Sequence, residues 1–181
     1  KGDAVYQSNE FNNRDIVNMS YIVFQIIMNI MNIILKSINN LKKRRFKINR
    51  ASTSYSNSKN IGVLYTYIDE NKQRAVNNFV SSLKKDGKRV DLLPAIQKKN
   101  ADNRYFKTFK VDEISTFGSW KNNNVNLFIF QEYDFLIYPD LIVSPEMENI
   151  LIRSYSKCRI GFIRSNKNLF DELLCMNTSA S

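Results

Sequence analysis

The sequence contains no histidine, only two cysteines, five glycines and three prolines, and a single tryptophan. Without histidine the chain lacks the side chain that most often acts as a general base and as a transition-metal ligand, which argues against a catalytic triad and a zinc site. Cys158 and Cys175 show no metal-ligand spacing and read as reduced core thiols of a cytosolic protein. Glycine is scarce where a nucleotide fold needs it. Gly62 is the only one near the first apolar strand, and neither GxGxxG nor GxxxxGK follows it. No cofactor and no metal are therefore expected.

A hydrophobic content of 43% suits a globular fold, and 181 residues suit one domain with an appendage. The net charge of +10 is unevenly spread: residues 36 to 50 hold seven Lys/Arg and no acid, whereas residues 111 to 181 hold six basic side chains against nine acidic ones. An acidic partner would meet the N-terminal half.

The architecture is clearest between Glu132 and Ile163. Tyr133 to Tyr138 and Arg159 to Ile163 are apolar, aromatic and β-branched runs that suit a buried parallel sheet. Between them Ser144, Pro145 and Glu146 make a helix start: a hydroxyl N-cap, proline at the first position and a carboxylate near the positive end of the dipole. Met147, Ile150, Leu151, Tyr155 and Cys158 would share one helical face, with Glu148, Asn149, Arg153 and Ser156 turned away. The plan repeats earlier, with a strand over Ile61 to Ile68, a helix over Glu70 to Lys85 closed by Asp86 and Gly87, and a strand over Val90 to Ile96. Consecutive strand-helix-strand units require parallel neighbours and right-handed crossovers. The expected fold is α/β, a mostly parallel Rossmann-like sheet of four to five strands with flanking helices, preceded by an N-terminal amphipathic helix. Residues 1 to 50 form the extension, 51 to 58 a linker and 59 to 181 the domain.

The remaining segments are less regular. Gln97 to Lys110 reads as a basic loop and a short edge strand, and Asn126 to Gln131 as a short helix. Trp120 is either a lid over the sheet edge or an exposed contact, and Asn168 to Met176 fits a short helix by its apolar spacing.

In the extension, the twenty residues from Ile16 to Leu35 carry no formal charge, enough to cross a bilayer core. Asn18, Gln25, Asn29, Asn32, Lys36, Asn39 and Lys43 recur at helical steps, so they form one narrow polar stripe on an apolar cylinder. Such a helix lies in a membrane interface, spans a bilayer, or docks on its own domain or a second protein. Met19, Met28 and Met31 are each possible internal starts. The cations Lys36, Lys42, Lys43, Arg44, Arg45, Lys47 and Arg50 follow as the candidate surface for an anionic membrane or partner.

From about Met31 onward the chain resembles a bacterial family, domain of unknown function 6913. The residues that carry the resemblance are KSINNLKKRRF, IGVLYTYID, FVSSLKKDGKRVDLL, ISTFGSW, YDFLIY, SYSKCRIGF and LFDELL. Asn122 to Asn124 depart from it, standing after Trp120 where the family is richer in glycine. A fainter likeness reaches the N-terminal domain of heptosyltransferase-like glycosyltransferases, through Asp134 to Tyr138 and Arg159 to Phe162. It implies a fold rather than the full reaction, because a second, sugar-nucleotide-binding domain has no room.

The leading expectation is a non-catalytic α/β module attached through residues 16 to 50 to the inner face of a membrane or to a protein partner, in the cytoplasm. An RNA- or ribosome-binding protein is an alternative, with Lys98, Lys99, Arg104 and Lys107 joining Lys42 to Arg50 as phosphate contacts. A degenerate glycosyltransferase-like enzyme is another; its site would gather Asp69, Asp140 and Ser144 at the carboxyl ends of the strands, with Glu70 and Arg164 nearby.

Overall fold

The computed structural model describes residues 13–45, 53–96, 108–162 and 169–174, and within the first helix the side chains of residues 19 and 21–43. Helix α1 (Asn13–Arg45) precedes strand β1 (Asn60–Tyr67), helix α2 (Glu70–Lys85) and strand β2 (Arg89–Ile96). Then come β3 (Phe109–Lys110), α3 (Asn123–Phe130), β4 (Tyr133–Ile137), α4 (Pro145–Arg153), β5 (Ser156–Phe162) and β6 (Glu172–Leu174). All six strands are parallel, in the order β3-β2-β1-β4-β5-β6.

Because β1 pairs with β2 on one side and β4 on the other, the chain winds outward in two directions from the centre. Right-handed crossovers in opposite directions put their helices on opposite faces. Ile61, Val63 and Tyr65 of β1 accordingly pack with Val76, Val80 and Leu83 of α2. Leu64 belongs to the other core, with Val125, Phe128 and Ile129 of α3 and Met147, Ile150 and Leu151 of α4. Gly62 serves this packing: a Cβ there would lie 3.0 Å from the Tyr133 ring on the neighbouring strand. Its place in β1 is steric and needs no phosphate.

Three expectations are corrected. The sheet has six strands rather than four to five. The sixth arises where a helix was expected over Asn168 to Met176. Leu169 and Phe170 are both buried, and the Phe170 ring fills the space that Gly161 of β5 leaves open, which seats the segment against the edge of β5. Asp171 then binds Arg159 of β5 through backbone and side chain, and Glu172–Leu174 extends the sheet edge. The third concerns α4, which stops at Arg153 instead of running on to Cys158. The buried Ser154 hydroxyl bonds the Leu151 carbonyl at 2.9 Å and the Ser156 hydroxyl at 3.1 Å, offering the backbone an exit from the helix. Cys158 thus lies on β5, in the core facing α2, and Tyr155 is exposed.

At the amino ends of the central strands Asp134 accepts from the backbone N–H groups of Lys59 and Asn60 and from Lys157. Burial alone would raise its pKa, but Lys157 and the two amides outweigh burial and hold the carboxyl at about 2. A native pKa below the unfolded value adds stability that is complete above about pH 4 and lost as the pH falls towards about 2. Asp134→Asn is expected to cost about 2 kcal/mol at neutral pH and almost nothing near pH 2. Urea melts of both proteins across that range would show it, and parallel pH profiles would refute it.

Candidate functional site

Two features stand out from the scaffold: the N-terminal helix and a cleft at the carboxyl edge of the sheet. Helix α1 is about 50 Å long at 1.5 Å per residue, and among its described side chains only those from Asn32 onward include any that are buried or half-buried. Asn39 is fully buried there. Its amide donates to the Pro145 carbonyl at 2.8 Å and its oxygen accepts from the Asn149 amide at 2.9 Å. Asn149, itself fully buried, accepts from the Trp120 indole at 3.0 Å. Lys43 pairs with Glu148, and Leu35 is buried beside them.

The helix therefore docks along the polar stripe and its flank rather than on its apolar side. Residues 21 to 31 are all exposed, among them Ile22, Phe24, Ile26, Ile27 and Ile30. Tyr21–Lys43 is long and apolar enough to cross a membrane by length and composition, and only 6% of its apolar window is buried. Of the seven candidate cations, Lys36 is exposed, while Lys42 and Lys43 turn to the domain. The side chains of Arg44 and Arg45, together with Lys47 and Arg50, lie outside the described residues. So do Lys98, Lys99, Arg104, Lys107 and Arg164.

Asn149, Arg153 and Ser156 were expected to face away from the core; Asn149 and Ser156 are instead fully buried and Arg153 half-buried. An asparagine on the outer side of a helix carries no local sign that a second helix will cover it. Trp120 is neither lid nor exposed contact: it is 5% exposed, edge-on to Phe109 and tied to Asn149. Asn122, one of the asparagines that depart from the family pattern, caps α3 by accepting from Asn124 N–H.

The cleft, of about 470 Å³, opens where β1 and β4 end side by side and the winding reverses. Thr66, Ile68 and Lys72 line one wall, and Tyr138 to Ile142 with Ser144 line the other. Asp140 and Ser144 both line this cleft; Asp69 does not, and caps α2 by accepting from Lys72 N–H at 2.8 Å. Both Asp140 oxygens are engaged, one by Thr66 N–H at 2.7 Å and one by the Lys72 ammonium. Ser144 accepts from Met147 N–H, its N-cap bond. Tyr138 donates to the Ile142 carbonyl at 2.8 Å, and burial, then Asp140 and Glu146, push its pKa well up. The cleft can accept a small molecule against apolar walls, but its one carboxylate is already bound on both oxygens. Among the described residues no group of three or more His, Cys, Asp or Glu is placed to hold a metal ion.

The fold and these surfaces define a parallel-sheet α/β module with an N-terminal helix docked by one end. The chain belongs to the family of unknown function DUF6913, whose model matches residues 31–180. That match takes in the docked end of α1, Leu35 to Lys43, and begins after the exposed residues Tyr21 to Ile30. No curated protein and no solved structure matches the chain.

Proposed function

We propose that the protein is a non-catalytic α/β module held at the inner surface of a membrane by α1, which lies in the interface with its apolar arc in the acyl chains. The observation that carries this reading is the direction of docking. The polar stripe of α1 and the domain are on the same half of the helix, so an apolar arc from Met19 to Ile34 is turned away from the domain and uncovered. A lipid surface suits that arrangement because the stripe can stay among headgroups beside the domain. The cations following the helix add attraction to anionic lipid of about 1 kcal/mol each where they reach the surface.

Co-sedimentation with vesicles tests it. The chain is expected to bind vesicles rich in phosphatidylglycerol at low salt, to weaken at high salt, and to lose binding when residues 13 to 34 are removed, which leaves the docked end in place. A chain that ignores vesicles, or binds them equally without those residues, would refute the reading.

A further inference from the structure

Two cations converge on one carbonyl beside the docked helix. Lys42 Nζ of α1 lies 3.1 Å from the Gly118 oxygen and 3.4 Å from that of Phe117, while Arg153 Nη1 of α4 lies 3.0 Å from the same Gly118 oxygen. Sharing one acceptor, the two charged nitrogens are at most about 6 Å apart. Both side chains are half-buried. The ion pairs among the described residues join Lys43, Lys72, Lys157 and Arg159 to carboxylates, and neither Lys42 nor Arg153 has one.

Two like charges this close in a partly desolvated place repel each other, and an anion between them would relieve the repulsion. Desolvation, and for Lys42 also the nearby Arg153, pushes both groups towards release of their protons. The turn that brings them together is built tightly. Gly118 has a φ of +70°, and a Cβ there would meet the Asn149 amide at 2.8 Å and Lys42 Nζ at 2.9 Å. Arg153 gives the turn a hydrogen bond from Nη1, and a guanidinium carries five N–H donors in a fork that matches an oxyanion. Next in the chain, Phe117 is 81% exposed.

We propose that Lys42 and Arg153 form a phosphate-type oxyanion site at the junction of α1, α4 and the Ser115–Ser119 turn, occupied on the membrane by the phosphodiester of an anionic lipid headgroup. The choice of a lipid as occupant rests on the membrane reading above; the oxyanion site does not. In that position Phe117 enters the interface beside the headgroup, and Lys42 reaches it from the flank of α1 between the docked side and exposed Leu41.

The test has two arms. In the first, thermal melts of the full chain compare inorganic phosphate with chloride at equal ionic strength and pH. About 50 mM phosphate is expected to raise the Tm of the wild type and of Lys36→Met by roughly 3 °C or more, as binding to the native state alone requires. Lys42→Met should lose that rise, and Arg153→Lys, which keeps the charge but not the guanidinium fork, should lose most of it. No rise in the wild type, or an equal rise in Lys42→Met, would overturn the site. The second arm compares vesicles of phosphatidylcholine with and without phosphatidylglycerol. Lys42→Met should still bind through α1 but lose at least half of the wild-type preference for the anionic vesicles. An undiminished preference overturns the lipid as occupant. A phosphate-dependent Tm without vesicle binding leaves the oxyanion site standing and sinks the membrane reading, so the two failures are distinguishable.

Discussion

Asn149→Ala is expected to lower stability by about 2 to 5 kcal/mol and to release α1 from the domain. The change removes the only acceptor of the Trp120 indole N–H and the donor to the Asn39 oxygen, in a region where Asn39 and Asn149 are both fully buried. Each buried polar group left without a partner costs about 1 to 3 kcal/mol, and an alanine leaves two of them. Every buried side-chain N and O among the described residues has a hydrogen-bond partner, so the substitution would create the unpaired groups rather than add to existing ones. Urea melts give the energy. Limited proteolysis after Lys42 and Lys43 gives the undocking, since these sites face α4 and its neighbouring turn when the helix is seated. A loss under about 1 kcal/mol with unchanged cleavage would mean that Leu35 and the Lys43–Glu148 pair hold the helix without the amides.

The second large effect concerns lipid. Val23 and Ile30 lie on the arc of α1 turned away from the docked side, and both are half exposed or more. Placing aspartate at both is expected to reduce vesicle partitioning by two to four orders of magnitude, since an aliphatic side chain withdrawn from apolar surroundings costs about 1.5 to 3 kcal/mol and a buried carboxylate adds to it. Gln25→Asp is the informative companion. Residue 25 lies near the middle of the uncharged run but on the polar stripe. If α1 lies in the interface, the Gln25 change alters binding less than tenfold. A helix that crosses the bilayer would put residue 25 near the centre, where the charge costs about as much as at Ile30. Equal penalties at 25 and 30 would therefore replace a lying helix with a spanning one, and no penalty at any of the three would end the membrane reading.

Some of the candidate site is legible in the sequence. Ser144 as the cap of α4, and the place of Asp140 and Ser144 at the carboxyl edge, follow from strand ends and helix starts that neighbouring residues define. Asp69 was placed there by the same reasoning and is absent, because a strand-end aspartate can cap the next helix as readily as face a cleft. The junction of Lys42, Arg153, Asn39, Asn149 and Trp120 could not be read, as its members come from three segments far apart in the chain.

That division has a physical basis. Helix α2 over Glu70–Lys85, the start of α4, and the parallel pairing of β1 with β2 and of β4 with β5 were determined by the sequence alone. Local terms decide them: apolar period, caps, the Asp86-Gly87 stop, and the geometric limit on crossovers. Tertiary structure decided the order of strands around β1, the turning of Leu169 to Leu174 into an edge strand, and which side of α1 meets the domain. In each of these the local preference was outweighed by a partner distant in sequence: an open edge of β5, a glycine with room for Phe170, and a buried asparagine on α4 whose amide donates to Asn39.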